Sequence, residues 1–145
     1  PEDLIVTRDR MEGFVQAMRI RRIEFDKDMI LFANSFSTEE GYRIASDILS
    51  CGKKIDAILA SDDLLALGAL KAMDEHKKTD IAVTGFNNTV QGQFNKPALT
   101  TVDIHPYELG YAAARLLISY INEEDNLPNH FIIDTDIIPR DTTRN

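Results

Sequence analysis

Polar and aromatic side chains gather where the short apolar segments of this sequence end. These segments have the length of buried β-strands, and parallel α/β sheets bind ligands at the carboxyl ends of their strands. Amides, hydroxyls and carboxylates form paired hydrogen bonds with hydroxyl groups, and an aromatic ring covers the apolar C–H face of a sugar. This chemistry favours a neutral polyol as ligand. The residues concerned are Asn34, Ser35, Phe36, Ser61, Asp62, Phe86, Asn87, Asn88 and Asp103.

Other ligand classes fit the sequence less well. A phosphate is disfavoured because the sequence has no glycine-rich loop that ends in a Lys-Ser or Lys-Thr pair. The single cysteine, Cys51, excludes an internal disulfide, and the three scattered histidines lack the spacing of zinc ligands. We therefore expect no metal ion and no cofactor.

The composition is that of one soluble globular domain. The 145 residues suffice for a hydrophobic core, with 43% hydrophobic and 28% charged residues. A net charge of −8 makes the chain itself a poor binder of nucleic acid. Apolar runs such as residues 29–33 are too short to cross a bilayer, and the start shows no signal peptide. The missing initial Met suggests a fragment of a longer protein.

Apolar periodicity predicts alternating strands and helices. This alternation indicates an α/β fold with a parallel sheet and helices on both faces. A capping box, Ser37 with Glu40, marks the start of the second helix. Residues 86–98 form a loop long enough to have a function. The predicted helices cover about residues 8–21, 38–51, 64–77 and 106–123, and the predicted strands cover residues 29–33, 57–60, 81–84, 100–104 and 131–138.

Six motifs then carry a family resemblance. Residues 58–69 read I-L-A-S-D-D-L-L-A-L-G-A, and residues 81–88 read I-A-V-T-G-F-N-N. The others are D-R-M-E-G-F at 9–14, P-A-L-T-T-V at 97–102, Y-E-L-G at 107–110 and P-R-D-T-T at 139–143. Their order over almost the whole chain resembles the LacI/GalR transcriptional regulators.

This resemblance implies part of a two-lobed, periplasmic-binding-protein-like core of the Rossmann-like α/β/α type. Residues 1–104 correspond to the C-terminal lobe, 105–130 to a segment of the missing N-terminal lobe, and 131–145 to a closing strand and tail. The parent would be a cytoplasmic repressor, not an enzyme. It would form a homodimer, bind a sugar between its lobes and contact operator DNA only through a missing headpiece.

The resemblance also implies effector-binding residues. Arg10 and Asp62 stand where the family contacts hydroxyl groups, and Phe36 stands where an aromatic ring covers the sugar. Asn87 occupies the position of an effector-contacting Asp, so here the sequence departs from the family pattern.

Each of these residues also has a purely structural interpretation. Asp62 can cap its helix, and Arg10 can pair with Glu12 on a solvated surface. Phe36 can be a hydrophobic staple before its helix, and Asn87 can be a turn former.

Alternative functions remain at this point. Asp62 and Asp63 beside Ser61 could hold Mg²⁺ in a phosphoryl-transfer enzyme. A transport-type sugar-binding protein would share the fold. Within the regulators, G-F-N-N suggests a maltose-type effector. The apolar helix that starts at Pro106 would lack its partner lobe, so we expect the isolated fragment to associate through it.

Overall fold

The computed structural model describes residues 4–123 and 130–143. Expectations about residues 1–3, 124–129 and 144–145 lie outside this part of the chain. Helices and strands alternate, which confirms the predicted α/β class. The helices are α1 (Ile5–Arg21), α2 (Thr38–Ser50), α3 (Asp63–Glu75), α4 (Val90–Phe94) and α5 (Pro106–Ile121), and the strands are β1 (Ala57–Leu59), β2 (Ala82–Thr84), β3 (Thr101–Asp103) and β4 (Asp136–Ile138).

The strands follow one another in chain order across the sheet. β1 pairs with β2 in parallel, and a parallel bridge between Thr84 and Thr100 joins β2 to the start of β3. β4 pairs with β3 in the antiparallel direction, which the sequence analysis did not foresee. The carboxyl ends of β1, β2 and β3 therefore lie side by side, as the predicted site requires.

Two predicted strands are wrong in whole or in part. Residues 29–33 form no strand: a 3-10 turn covers Lys27–Met29, and the residues after it pair with no strand of the described chain. Leu31 and Phe32 are 48% and 37% exposed, so this apolar run is not buried on both faces. Of residues 131–138 only β4 is a strand, because β3 offers only three residues for pairing.

The core lies between α3 and the sheet. Ala66 and Met73 of α3 pack with Ile81, Val83 and Leu99, and all five are buried. Burial of a large apolar side chain contributes about 1.5–3 kcal/mol, so this cluster is the main anchor of α3 on β1 and β2. The N-terminus of α3 is thereby fixed at the edge of the sheet where the site was predicted.

α2 packs against α3 through two glycines. A Cβ on Gly68 would lie 2.1 Å from the carbonyl oxygen of Thr38, and a Cβ on Gly41 would lie 2.2 Å from that of Leu65. Backbone therefore meets backbone at this crossing, and no side chain larger than hydrogen fits.

The start of α2 differs in detail from the predicted capping box. Ser37 Oγ accepts a hydrogen bond from the Glu40 amide, as expected. The Glu40 carboxylate does not return to the Ser37 amide, since it accepts from the backbone and side-chain nitrogens of Asn34. Hydrogen bonds from Arg43, then from the Asn34 backbone, lower the pKa of Glu40 to about 2. The staple interpretation of Phe36 is wrong, because its partner position is Gly41, which has no side chain.

α1 is less tightly packed than the other long helices. None of its residues is fully buried, although the predicted apolar face (Met11, Phe14, Val15 and Met18) is half-buried. Phe14 meets Phe25 edge to face at 5.2 Å between ring centroids. None of the described helices has both the length and the apolar character that a bilayer crossing demands.

We expect Gly68→Ala to lower the free energy of unfolding by about 1–3 kcal/mol, because the new methyl group forces α2 away from α3. Urea denaturation measures this. Gly13→Ala is the matched control, since no atom lies within 4 Å of a Cβ there, and it should stabilise α1 by about 0.5–1 kcal/mol. Equal stability of the two variants would contradict the close helix crossing.

Candidate functional site

Arg10 connects α1 to the carboxyl ends of β1 and β2. Its Nη1 donates a hydrogen bond to the backbone oxygen of Ser61 at 2.5 Å, and its guanidinium carbon lies 3.6 Å from the centre of the Phe86 ring. Burial lowers the pKa of Arg10, while the neighbouring Asp62 carboxylate opposes this shift. Arg10 is therefore held at the predicted site and does not pair with Glu12.

Asp62 is both a helix cap and a member of the site. Its Oδ1 accepts a hydrogen bond from the Leu64 amide at 2.8 Å, which caps α3. Its Oδ2 accepts from Asn87 Nδ2 at 2.7 Å. Burial raises the pKa of Asp62, and the charge of Asp63 adds to this effect. The capping interpretation is thus confirmed, and the contact of Asp62 with an effector stays a prediction.

Asn87 and Asn88 are turn formers whose side chains also have fixed partners. Both have positive φ angles, 109° and 54°, which asparagine tolerates better than most residues. Asn88 Nδ2 donates to Asp103 Oδ2 at 2.8 Å, and Asn88 Oδ1 accepts from Arg140 Nη2 at 2.5 Å. Asn87 therefore faces the start of α3, and Asn88 faces the end of β3.

Three of the four predicted site residues meet: Arg10, Asp62 and Asn87. Phe36 is half-buried one residue before the N-cap of α2. Within the described residues, no hydrogen bond or ring contact links Phe36 to the other three. Its role against a ligand stays a prediction.

Asp63, which the sequence suggested only as a candidate magnesium ligand, has a structural role that sequence reasoning missed. Its side chain is fully buried and accepts hydrogen bonds from Thr101 Oγ1 at 2.6 Å and from the amide and hydroxyl of Thr89 at 2.7 and 3.0 Å. A Cβ on Gly85 would come within 2.2 Å of Asp63 Oδ1, so this glycine makes room for the carboxylate. The sequence feature that could have indicated this role is the pair of adjacent aspartates at the start of α3.

This arrangement does not support a magnesium site at Asp62 and Asp63. Asp63 is fully buried, and both of its oxygens accept hydrogen bonds from threonines. Among the described residues, no group of three or more His, Cys, Asp or Glu side chains is placed to hold a metal ion. The two carboxylates therefore serve different parts of the fold.

A second missed group ties the C-terminal segment to the site loop. Arg140 Nη1 donates to the Leu99 carbonyl, in addition to the Nη2 bond to Asn88. Thr142 Oγ1 donates to the Val83 carbonyl at 2.7 Å. The motif P-R-D-T-T at 139–143 contains both residues, but their contacts can be identified only from the folded structure.

The beginning of α5 is joined to this network. The His105 amide donates to Asp103 Oδ1 at 2.9 Å, and this bond, followed by that from Asn88, lowers the pKa of Asp103. His105 Nε2 lies 3.0 Å from Asp136 Oδ2 of β4. Loop, strand end and helix start thus form one connected polar group.

The site combines one donor cluster with several acceptors. Arg10 supplies N–H donors, and the oxygens of Asp62 and Asn87 supply acceptors, with opposite charges on Arg10 and Asp62. Such a surface can bind hydroxyl groups, which both donate and accept. A separate surface hollow between α2 and α3, lined by Thr38, Glu39, Tyr42 and Lys71, contains none of these residues.

Comparison with known proteins gives consistent matches. The model of the periplasmic binding protein-like domain matches residues 2–143. The HTH-type transcriptional regulator MalR of Streptococcus pneumoniae is 33% identical over 85% of this chain and 36% of its own length. The ribose operon repressor of Halalkalibacterium halodurans is 30% identical over 99% of this chain and 43% of its own length.

A solved structure gives the same result. A LacI transcriptional regulator from Bacillus cereus superposes with a TM-score of 0.90 and 32% identity, over 99% of this chain and 52% of that one. The chain spans less than half the length of the two curated relatives.

We expect Asp63→Asn to lower the free energy of unfolding by about 1–3 kcal/mol. The amide nitrogen of the new side chain would replace one carboxylate oxygen, so one of the donors on Thr89 or Thr101 would lose its acceptor. Residues 86–98, which the sequence predicts as a loop but which contain α4, should then be cut faster by proteases. Asp74→Asn, an exposed change on the same helix, is the control and should leave both unchanged. Wild-type stability and cleavage in Asp63→Asn would show that the buried carboxylate is dispensable.

Proposed function

The chain belongs to the LacI/GalR transcriptional regulators of the periplasmic binding protein-like family, and on this premise we propose that it is part of the effector-binding core of a sugar-sensing repressor. The meeting of Arg10, Asp62 and Asn87 at the ends of β1 and β2 carries this proposal. These residues form one wall of the effector site.

A small uncharged carbohydrate is the effector that this wall suits best. Arg10 donates to hydroxyl oxygens, and Asp62 and Asn87 accept from hydroxyl protons. The charges of Arg10 and Asp62 oppose each other, so the pair leaves little net charge to attract a phosphate. Phe36 would cover the C–H face of the sugar. One relative is named as a repressor of a ribose operon. For this chain we suggest a maltose-type sugar as the effector, because of the sequence G-F-N-N at residues 85–88.

Regulation, and not transport, is the role that the relatives favour, because the curated matches reported above are regulators. In the whole protein, a sugar would change the affinity for operator DNA only if it binds more tightly to one arrangement of the two lobes than to the other. Operator DNA would be contacted by a headpiece outside this chain, and the active species would be a cytoplasmic homodimer.

α5 supports a two-lobed parent. Its apolar residues surround the helix, which is typical of a buried element. Ala112, Leu116 and Ser119 face the packed side, whereas Leu117 and Tyr120 are 62% and 77% exposed. We propose that residues 105–130 pack on an N-terminal lobe outside this chain, and that residues 131–145 return to the lobe formed by 1–104.

We expect the full-length protein to bind an uncharged sugar from a panel of maltose, cellobiose and ribose, and not glucose 6-phosphate, in calorimetric titration. Arg10→Met should weaken that binding about 10- to 100-fold, because a hydrogen bond to a charged group contributes about 1.5–3 kcal/mol. Arg43→Met, an exposed change on α2, should bind normally. Failure of the whole panel, or normal binding by Arg10→Met, would contradict the proposal.

We expect the isolated 145-residue chain to self-associate through α5 in sedimentation, because exposed apolar side chains of this helix lack a partner. Leu117→Glu combined with Tyr120→Glu should produce a monomer. Glu39→Lys, on α2, leaves α5 intact and should not. A wild-type chain that stays monomeric at high micromolar concentration would argue against an uncovered interface.

A further inference from the structure

The end of the β3–β4 pair brings two aspartates together. In this antiparallel pair Asp103 lies directly opposite Asp136, and both lie where the pairing stops. Directly opposed residues place their side chains on the same face of a sheet, and like charges in such a pair repel each other. Because aspartates are ordinarily ionised at neutral pH, this end of the sheet is destabilised unless a positive charge lies nearby.

His105 contacts both of these aspartates. Its backbone amide donates to Asp103 Oδ1 at 2.9 Å, and its ring nitrogen Nε2 lies 3.0 Å from Asp136 Oδ2. Asp103 Oδ2 has a further partner, since it accepts from Asn88 Nδ2. Among the described residues, the His105 ring is the one side chain that bonds to the Asp136 carboxylate. The imidazole therefore lies where a positive charge would offset the repulsion.

The backbone at His105 also depends on these contacts. Its φ and ψ angles are 49° and 64°, in the left-handed region, directly before Pro106 at the first position of α5. Histidine tolerates this region better than most residues, but the conformation is still unfavourable and persists only where the surroundings hold it. The bond from the His105 amide to Asp103 is one such restraint, so the turn and the strand ends keep the ring in place together.

We propose that His105 and Asp136 form a pH-sensitive latch between the segment that leads into α5 and the segment that returns through β4. When the imidazole is protonated, its charge pairs with Asp136 and holds the strand ends together. When it is neutral, Nε2–H still donates to the carboxylate, but the charge that offsets Asp103 and Asp136 is lost and the strand ends open more often. That these two segments connect two lobes rests on the proposed function.

The charged groups around the ring set the direction of the pH response. Hydrogen bonds from the His105 amide, then from Asn88, hold the pKa of Asp103 below its ordinary value, and the charge of Arg140 adds to this. Glu108 lies in the first turn of α5. Aspartate, glutamate and arginine ordinarily titrate outside the range from pH 5.5 to pH 8, whereas an imidazole titrates near pH 6.5. The stabilisation by the latch is therefore present at pH 5.5 and lost as the pH rises to 8.

Amide hydrogen exchange of the full-length protein, without added ligand, measures this opening. After correction for the intrinsic pH dependence of exchange, residues 136–138 should exchange about two- to fivefold more slowly at pH 5.5 than at pH 8. This range is that of a solvent-exposed ion pair, and the Asp136 side chain is exposed. Residues 57–59 of β1 should show no such difference.

Three variants identify the groups responsible. His105→Asn removes the ring but keeps a residue type that tolerates left-handed backbone, so residues 136–138 should exchange at both pH values at least as fast as in the wild type at pH 8. Asp136→Asn removes the repulsion, so these residues should be better protected at pH 8 than in the wild type and equally protected at pH 5.5. His76→Asn, at the exposed C-cap of α3, removes a different imidazole and should keep the wild-type response.

Each negative result has one meaning. Equal protection of residues 136–138 at the two pH values in the wild type would overturn the latch, as would a response that persists in His105→Asn. Weaker protection at pH 8 in Asp136→Asn than in the wild type would show an ordinary structural hydrogen bond and overturn the electrostatic mechanism. The measurement uses no sugar, so a protein that shows the response but binds no sugar of the panel contradicts the proposed function alone.

Discussion

A fully buried carboxylate, Asp63, is the interaction on which the site depends. It joins the start of α3 to Thr89 in the loop after β2 and to Thr101 in β3. Taking a charge out of water is costly unless it is hydrogen-bonded, so these elements must keep their positions for the carboxylate to be tolerated. The backbone amide of Asp63 also donates to the Phe86 carbonyl. Three strand ends thereby become one rigid platform.

Two of the proposed binding residues, Asp62 and Asn87, are neighbours in sequence of residues that hold this platform together. Asp62 precedes Asp63 and points toward the surface, where it meets Asn87. Asn88 follows Asn87 and points toward Asp103 and Arg140. Asp62 and Asn87 are thus each one residue away from a side chain that fixes the backbone. This explains how a short segment with two left-handed residues can hold the proposed hydroxyl-binding side chains in defined positions.

Much of this could be predicted from sequence, because it follows from local rules. The α/β class, confirmed by the periplasmic-binding-protein-like match, the caps at Ser37 and Asp62, and the cluster of Arg10, Asp62 and Asn87 came from periodicity, helix starts and motif resemblance. The failures concern partners distant in sequence. Residues 29–33 are apolar enough for a strand, but in the part of the chain that the structure describes they have no strand to pair with. The burial of Asp63 depends on threonines 26 and 38 positions later in the sequence.

The most direct measurement is an NMR titration of the full-length protein with the sugar that it binds. If the account is right, the largest chemical-shift changes fall on the side-chain signals of Arg10 and Asn87 and on the amides at the start of α3. Changes concentrated instead around Tyr42 and Lys71, at the hollow between α2 and α3, would contradict it.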